Sequence, residues 1–312
     1  MNFKLNNLQA ENISKSFGDL ILFENISLSI DNEQKIALIG RNGSGKTSLL
    51  NILGGKDTPD KGRIAFRNGL SVSYLEQFPL MDDNKTIIEQ VFDSSDEISS
   101  AVRDYESALL IYDKHTLDLA SRKMDSLNAW EFETRAKQIL SKLKINNPDQ
   151  KIGQLSGGQK KRIALANALI NKSDILILDE PTNHLDMDMI EWLESYLIKL
   201  KCSVLMVTHD RYFLNRISNS IIELDNRKLY EYQGNYESFL EKREERLNNQ
   251  SSGIEKARSI LKKELEWMRR MPLARGTKAK ARMDAFYDLK EYASQKVPDR
   301  KIDLKVRPQR LG

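Results

Sequence analysis

Residues 35–53 read KIALIGRNGSGKTSLLNIL. KIALIG is a short apolar run of the kind that forms a buried strand, and TSLLNIL places Leu49, Leu50, Ile52 and Leu53 at helical spacing. Between them Gly40, Arg41, Asn42, Gly43, Ser44, Gly45, Lys46 and Thr47 satisfy G-x-x-x-x-G-K-[ST] in the strand–loop–helix setting that motif requires. The glycines let backbone N–H groups turn towards one anion, and the helix N-terminus adds its partial positive charge. Such a loop cradles the phosphates of a nucleotide. Lys46 reaches the β- and γ-phosphates, and the Thr47 hydroxyl is the ligand type for Mg²⁺.

Two further stretches extend the reading. ILILDE, residues 175–180, is an apolar strand whose C-terminal end delivers Asp179 towards a magnesium ion and Glu180 towards an attacking water. A carboxylate in that position can take a proton from the water as a general base. Leu155-Ser156-Gly157-Gly158-Gln159 runs directly into KKRIALANALI, a helix start with bare amides at its head.

Around these motifs the chain divides by pattern. Residues up to about 80 read as short strands separated by glycine and asparagine turns: LQAENIS, ILFENISLSI, KIALIG, GRIAFR and LSVSYLEQ. From Thr86 to Leu143 the apolar spacing becomes helical, with TIIEQVF, ISSAVRDYESALLIYD and AWEFETRAKQILSKL as the runs that show it. Strand signals return in DILILDE and SVLMVTHD, joined by MIEWLESYLIKL as a crossover helix. Beyond Gly234 a long charged amphipathic pattern, SFLEKREERLNNQSSGIEKARSILKKELEWMRRM, is resumed by DAFYDLKEYASQK, which predicts an antiparallel helical hairpin.

The 312 residues are 40% hydrophobic and 30% charged, enough for a sizeable core under a well-solvated surface. One cysteine, Cys202, cannot form an intrachain disulfide, and its apolar setting SVLMVT argues for a reduced buried thiol in a cytoplasmic protein. No apolar run approaches the ~20 residues of a membrane span, and MNFKLNNLQAEN lacks the apolar centre of a secretory signal, so membrane insertion is not expected.

With LSGGQ between the glycine loop and ILILDE, the chain resembles the ATP-binding cassette (ABC) superfamily. The resemblance implies an α/β fold of the P-loop NTPase type: a mixed sheet core, an antiparallel β subdomain and a helical subdomain, followed here by the long helical hairpin. It implies an ATPase using ATP and Mg²⁺, in which Ser156, Gly157, Gly158 and Gln159 grip the γ-phosphate of an ATP held by a different cassette. Gln77 in YLEQ matches the Q-loop position, expected on Mg²⁺ and the water. His209 in VTHD matches the switch histidine, Phe17 in KSFG the aromatic that stacks on adenine, and Asp186 in NHLD the D-loop aspartate at the cassette interface.

The run PTNHLD from Pro181, THDRYFLN and YQGNYESFLEKREER are similar to the ABC-F family, which carries two cassettes in one chain and no membrane domain, and WMRRMPLARGTKAKARMDAFYD resembles the interdomain linker of its Uup-like branch. This implies a cassette over residues 1–240, with a helical insertion or short arm and the signature-bearing helical subdomain at about 86–150. A charged interdomain linker would follow at 241–298, and the opening of a second cassette at 299–312. Partners implied are that second cassette, in a longer chain or by head-to-tail self-association, and the ribosome with its rRNA and tRNA. An ATPase subunit of a membrane transporter and a DNA-directed ATPase are the alternative readings.

One stretch stands apart. RRMPLARGTKAKAR, residues 269–282, holds six cations and no acid, more charge than the net +4 of the whole chain. Charge runs are usually solvated faces. This one has a single sign, is broken by Pro272 and Gly276, and draws four of its six cations from arginine, whose planar fork grips phosphate and stacks on bases. Arg269, Arg270, Arg275, Lys278, Lys280 and Arg282 are therefore expected on an RNA backbone.

Overall fold

The computed structural model describes residues 6–77, 79–92, 97–111, 113–269 and 277–294. Its chain falls into two compact units that divide at Tyr236 and Glu237.

In the first unit, β1 (Asn6–Phe17) and β2 (Leu20–Asp31) form a long hairpin, and β3 (Lys35–Gly40) leads through the glycine loop into α1 (Lys46–Leu53). β4 (Lys61–Phe66) and β5 (Val72–Leu75) follow. The helical stretch comprises α2 (Ile87–Val91), α3 (Glu97–Ile111), α4 (Lys114–Ser126), α5 (Trp130–Lys142) and α6 (Gly157–Ile170). β6 (Ile175–Asp179), α7 (Met187–Lys199), β7 (Ser203–Val207), α8 (Arg211–Ile217), β8 (Ser220–Asp225) and β9 (Lys228–Gln233) complete it.

Two sheets result. One is antiparallel in the order β2-β1-β4, and the other runs β5-β6-β7-β3-β8-β9. In the second sheet the first five strands are parallel, and β9 closes it antiparallel to β8. This is the mixed sheet expected of an α/β cassette. β6 and β7 are buried at every position, as strands covered on both faces must be, which is why they read as unbroken apolar runs. Ile13 and Phe23 from the antiparallel sheet share a core with Leu49 and Leu50 of α1 and with Ile36, Ile177 and Leu205 of the parallel one. The helix that starts at the glycine loop is thus held by burial on both sides.

Helices α4 and α8 and the two strands of the β8–β9 hairpin were not read individually from the sequence. Helix α4 carries few apolar residues. It is started by the Asp113 carboxylate, which accepts from Thr116 N–H at 2.9 Å, and Lys123 ties it to Asp104 of α3 at 2.6 Å. The β8–β9 hairpin turns through Asn226 and Arg227, whose φ angles are 49° and 64°. Two left-handed residues make the tight turn that matches strand twist, but Asn-Arg lacks the glycine that normally announces it.

The second unit contains α9 (Tyr236–Arg269) and α10 (Thr277–Ser294). Arg258 Nε donates to the Ala293 carbonyl at 3.1 Å, and the Tyr292 hydroxyl lies where a Cβ on Gly253 would approach to 2.7 Å. The middle of α9 therefore meets the end of α10, the pairing of an antiparallel hairpin. Residues 270–276 and 295–312, which include Arg270, Arg275, Pro272, Gly276 and the proposed second-cassette opening, lie outside the described residues.

Candidate functional site

Strand order alone assembles the site. Leu75 pairs with Leu178, and Asp179 pairs with Val207. Gln77, Asp179, Glu180 and His209 thus emerge side by side at the carboxyl ends of β5, β6 and β7. β3 pairs in parallel with β7 and opens there into the loop Gly40–Thr47. This is the edge of an open parallel sheet at which ligands bind.

The loop has the features of an anion cradle. Gly43 and Gly45 take φ angles of 76° and 96°, which side chains resist, and Gly45 caps α1. Ser44 Oγ is buried with no hydrogen-bond partner among the described residues, a cost that a bound anion would relieve. Lys46 Nζ donates to the carbonyls of Gly40 at 2.9 Å and Arg41 at 3.0 Å. An ammonium has three donors, so one remains for a phosphate oxygen. Burial lowers the Lys46 pKa, with Glu180 and Asp179 opposing the shift.

Thr47 Oγ1 donates to Asp179 Oδ2 at 3.1 Å. Burial raises the Asp179 pKa, against the Thr47 hydrogen bond and the Lys46 charge. A hydroxyl beside a desolvated carboxylate is a hard-oxygen donor set of the kind Mg²⁺ uses alongside phosphates, so the residues present fit that ion. Glu180 stands at the strand end with φ 54° and its N–H bonded to the Val207 carbonyl at 2.8 Å. Burial, then the Asp179 charge, push its carboxyl up to about 7, against a hydrogen bond from the His209 backbone. His209 Nε2 lies 3.4 Å from Glu180 Oε1. Glu180 thus combines a left-handed backbone with a carboxyl raised by burial, beside an imidazole.

A second group forms at α6. Ser156 caps the helix, accepting from Gln159 N–H at 3.3 Å, while Gln159 Oε1 accepts from Ser156 N–H at 2.9 Å. This capping box holds the loop rigid. Gly157 faces open space, and a Cβ on Gly158 would meet His184, itself at φ 65°. Asp186 caps α7 through Met189 N–H at 3.1 Å and pairs with Lys144 at 2.6 Å. The sequence assigned Asp186 to an interface; in this structure both its oxygens are also committed locally. Lys144 was missed, and since it pairs over 42 residues no local signal could have found it.

Phe17 stands 80% exposed at the tip of the β1–β2 hairpin, opposite Leu20. The same hairpin packs on the glycine loop, because a Cβ on Gly45 would meet Leu22 Cβ at 2.9 Å. A further tie escaped the sequence reading. Tyr74 donates to Asn51 Oδ1 at 2.8 Å, Lys56 lies over its ring at 4.8 Å, and Lys56 pairs with Glu76. These contacts join the end of α1 to the strand that carries Gln77. Of the basic run, Arg269 closes α9, and Lys278, Lys280 and Arg282 fall in the first turns of α10.

A parallel sheet with a phosphate loop, an acid pair at the next strand end and a separate capped signature helix defines an ATP-binding cassette. The family model described as ABC transporter matches residues 23–183, and a second model of the same description matches residues 222–305. The chain belongs to the ABC family, in the ATP-binding cassette class whose members are ATPases. Its relatives include the ABC transporter ATP-binding protein YfmR of Bacillus subtilis, 43% identical over 98% of this chain and 50% of that one. The energy-dependent translational throttle protein EttA of Mycobacterium tuberculosis is 36% identical, over 94% of this chain and 53% of its own. The ATP-binding protein Uup of Haemophilus influenzae is 33% identical, over 90% and 44%. EttA and Uup belong to the ABC-F group that the motifs resemble. The chain spans about half the length of the curated relatives it matches. Among solved structures, an ATP-binding subunit of an ABC transporter shares the fold with TM-score 0.56 at 20% identity, over 72% of this chain and 89% of that one. No described helix is long and apolar enough to cross a membrane.

Proposed function

We propose that this chain is the ATP-binding and hydrolysing cassette of an ABC-F protein acting on the ribosome in translation. The observation that carries the ATPase reading is the convergence of Ser44, Lys46, Thr47, Asp179 and Glu180 at one sheet edge, with the Thr47–Asp179 contact at 3.1 Å. Gly40–Thr47 bind the phosphates, Phe17 stacks on the base, and Gln77 orients the attacking water. Glu180 takes that water's proton at its carboxylate, and His209 steadies the γ-phosphate end. Thr47, Asp179 and Gln77 would hold magnesium, which when bound would offset phosphate charge. Ser156–Gln159 and Asp186 serve a second cassette, supplied by a longer chain or by a head-to-tail copy.

In this reading residues 1–240 are the cassette, with 86–150 its helical insertion, followed by the signature at Leu155–Gln159 and its helix Gly157–Ile170. Residues 241–298 are a linker and 299–312 open the next cassette. The division of the structure near Tyr236 and the twofold greater length of the relatives support that division. The translational name of EttA and the basic run support a ribosomal target, with Arg269, Arg270, Arg275, Lys278, Lys280 and Arg282 on rRNA or tRNA and the cytoplasm as the compartment. A transporter subunit is the second reading, favoured by the fold likeness to such a subunit.

Pelleting separates them. Glu180→Gln should keep MgATP binding, lose ~10²–10⁴-fold in turnover, and co-sediment with ribosomes in ATP. Wild-type turnover would sink the Glu180 role. Recovery with membranes instead of ribosomes would establish the transporter reading.

A further inference from the structure

The loop after α1 makes a set of contacts that nucleotide chemistry does not use. Asp60 Oδ2 accepts from both Ser16 N–H and Ser16 Oγ at 2.7 Å, and Asp60 N–H donates to the Ser14 carbonyl at 2.9 Å. Lys15 Nζ donates to Asp57 Oδ1 at 3.0 Å and to the Thr58 carbonyl at 2.8 Å, and stands 3.6 Å from Asp60 Oδ1. Every one of these bonds falls on the three residues just before Phe17. Across the hairpin, Leu22 and Phe23 press on Gly45. The chain from Gly45 through α1 to Asp60 therefore holds the phosphate loop at one end and the base of the hairpin tip at the other.

We propose that the Asp57–Asp60 loop positions Phe17 as a nucleobase platform, with Asp60 acting through Ser16 and Lys15 to fix where the ring stands relative to the phosphate loop. This rests on Phe17 being the base-stacking residue. The physical need is clear. A ring 80% exposed at a hairpin tip gains nothing from core packing to hold it, and a platform that wanders must be ordered each time a base binds. Hydrogen bonds that converge on one carboxylate remove that freedom beforehand. The charges agree: hydrogen bonds from Ser16, then the charge of Lys15, lower the Asp60 pKa, and the Asp57 hydrogen bond raises that of Lys15. Asp60 is a positioning residue and touches no nucleotide itself.

The test compares two probes on the full 312-residue chain: MgATP and inorganic tripolyphosphate with magnesium, which has phosphates but no base. Phe17→Ala should weaken MgATP by roughly 5- to 150-fold, the equivalent of about 1–3 kcal/mol of base stacking, and leave tripolyphosphate unchanged. Asp60→Ala should weaken MgATP alone by roughly 5-fold, the cost of ordering about one freed residue. Asp60→Asn keeps an acceptor for Ser16 and should recover most of that loss. A role confined to stability would lower the melting temperature and change both probes together or neither. If Phe17→Ala is selective and Asp60→Ala is not, the positioning role is overturned while the platform stands. If Phe17→Ala is itself unselective, the platform is wrong and the inference falls with it.

Discussion

Replacing Gly45 with alanine should destabilise the cassette more than the same change at Gly43, although both lie in the phosphate loop. Each glycine has a left-handed backbone, at φ 96° and 76°. An L residue there costs about 1–2 kcal/mol, and this is the whole expected cost at Gly43, where an added Cβ meets nothing within 4 Å. At Gly45 the added Cβ would stand 2.9 Å from Leu22 Cβ and 3.4 Å from Phe23 Cδ1. Both belong to β2, and Phe23 is fully buried in the core shared by the two sheets. Displacing such a packed neighbour adds about 1–3 kcal/mol, so Gly45→Ala should lose about 2–5 kcal/mol in all. For a unit of this size 1 kcal/mol moves the midpoint by about 2–4 °C, which puts Gly43→Ala at about 2–8 °C and Gly45→Ala at about 4–20 °C. Scanning calorimetry and urea titration of the two variants beside the parent would measure the gap. Equal losses would show that β2 does not press on the loop, and would remove one of the two anchors of the Phe17 hairpin.

Lys35→Met should cost about 2–4 kcal/mol, because Lys35 Nζ bonds the half-buried carbonyl of Leu200 at 2.7 Å and the buried carbonyl of Cys202 at 2.6 Å, and methionine satisfies neither. Burial lowers the Lys35 pKa in the folded state, so between that value and the unfolded one the unfolded chain holds more protons. Stability from this group therefore rises with pH across the window, and a parent and a Lys35→Met variant with parallel alkaline stability curves would contradict the assignment. Turnover should increase with protein concentration, since Ser156–Gln159 serve a second cassette; a steady-state rate per chain that is constant under dilution would refute the split site. Exchanging Arg275, Lys278 and Lys280 for alanine should weaken ribosome binding and flatten its salt dependence by roughly 0.7–0.9 in log–log slope per lost phosphate contact. An unchanged slope would leave the basic run as a solvated spacer.

Much of this protein is written locally. The glycine loop, ILILDE and LSGGQ each carry their own strand or helix beside them, so fold class and the placing of Lys46, Thr47, Asp179 and Glu180 at strand ends and a helix start could be read from neighbouring residues alone. The helical hairpin was legible for the same reason, since amphipathic spacing is a property of one segment. Elements without a strong local signal, such as α4 and the Asn226–Arg227 turn, were harder because packing and strand pairing stabilise them more than propensity does. Parallel pairing is nonlocal: Leu75 meets Leu178 and Asp179 meets Val207 across long crossovers. Only that register sets Gln77, Glu180 and His209 beside one another. The same holds for Lys144 on Asp186, Lys35 under two carbonyls and Asp60 beneath Ser16. Each joins residues whose sequence neighbours are ordinary, and a charged side chain declares its partner only when folding has removed the water between them.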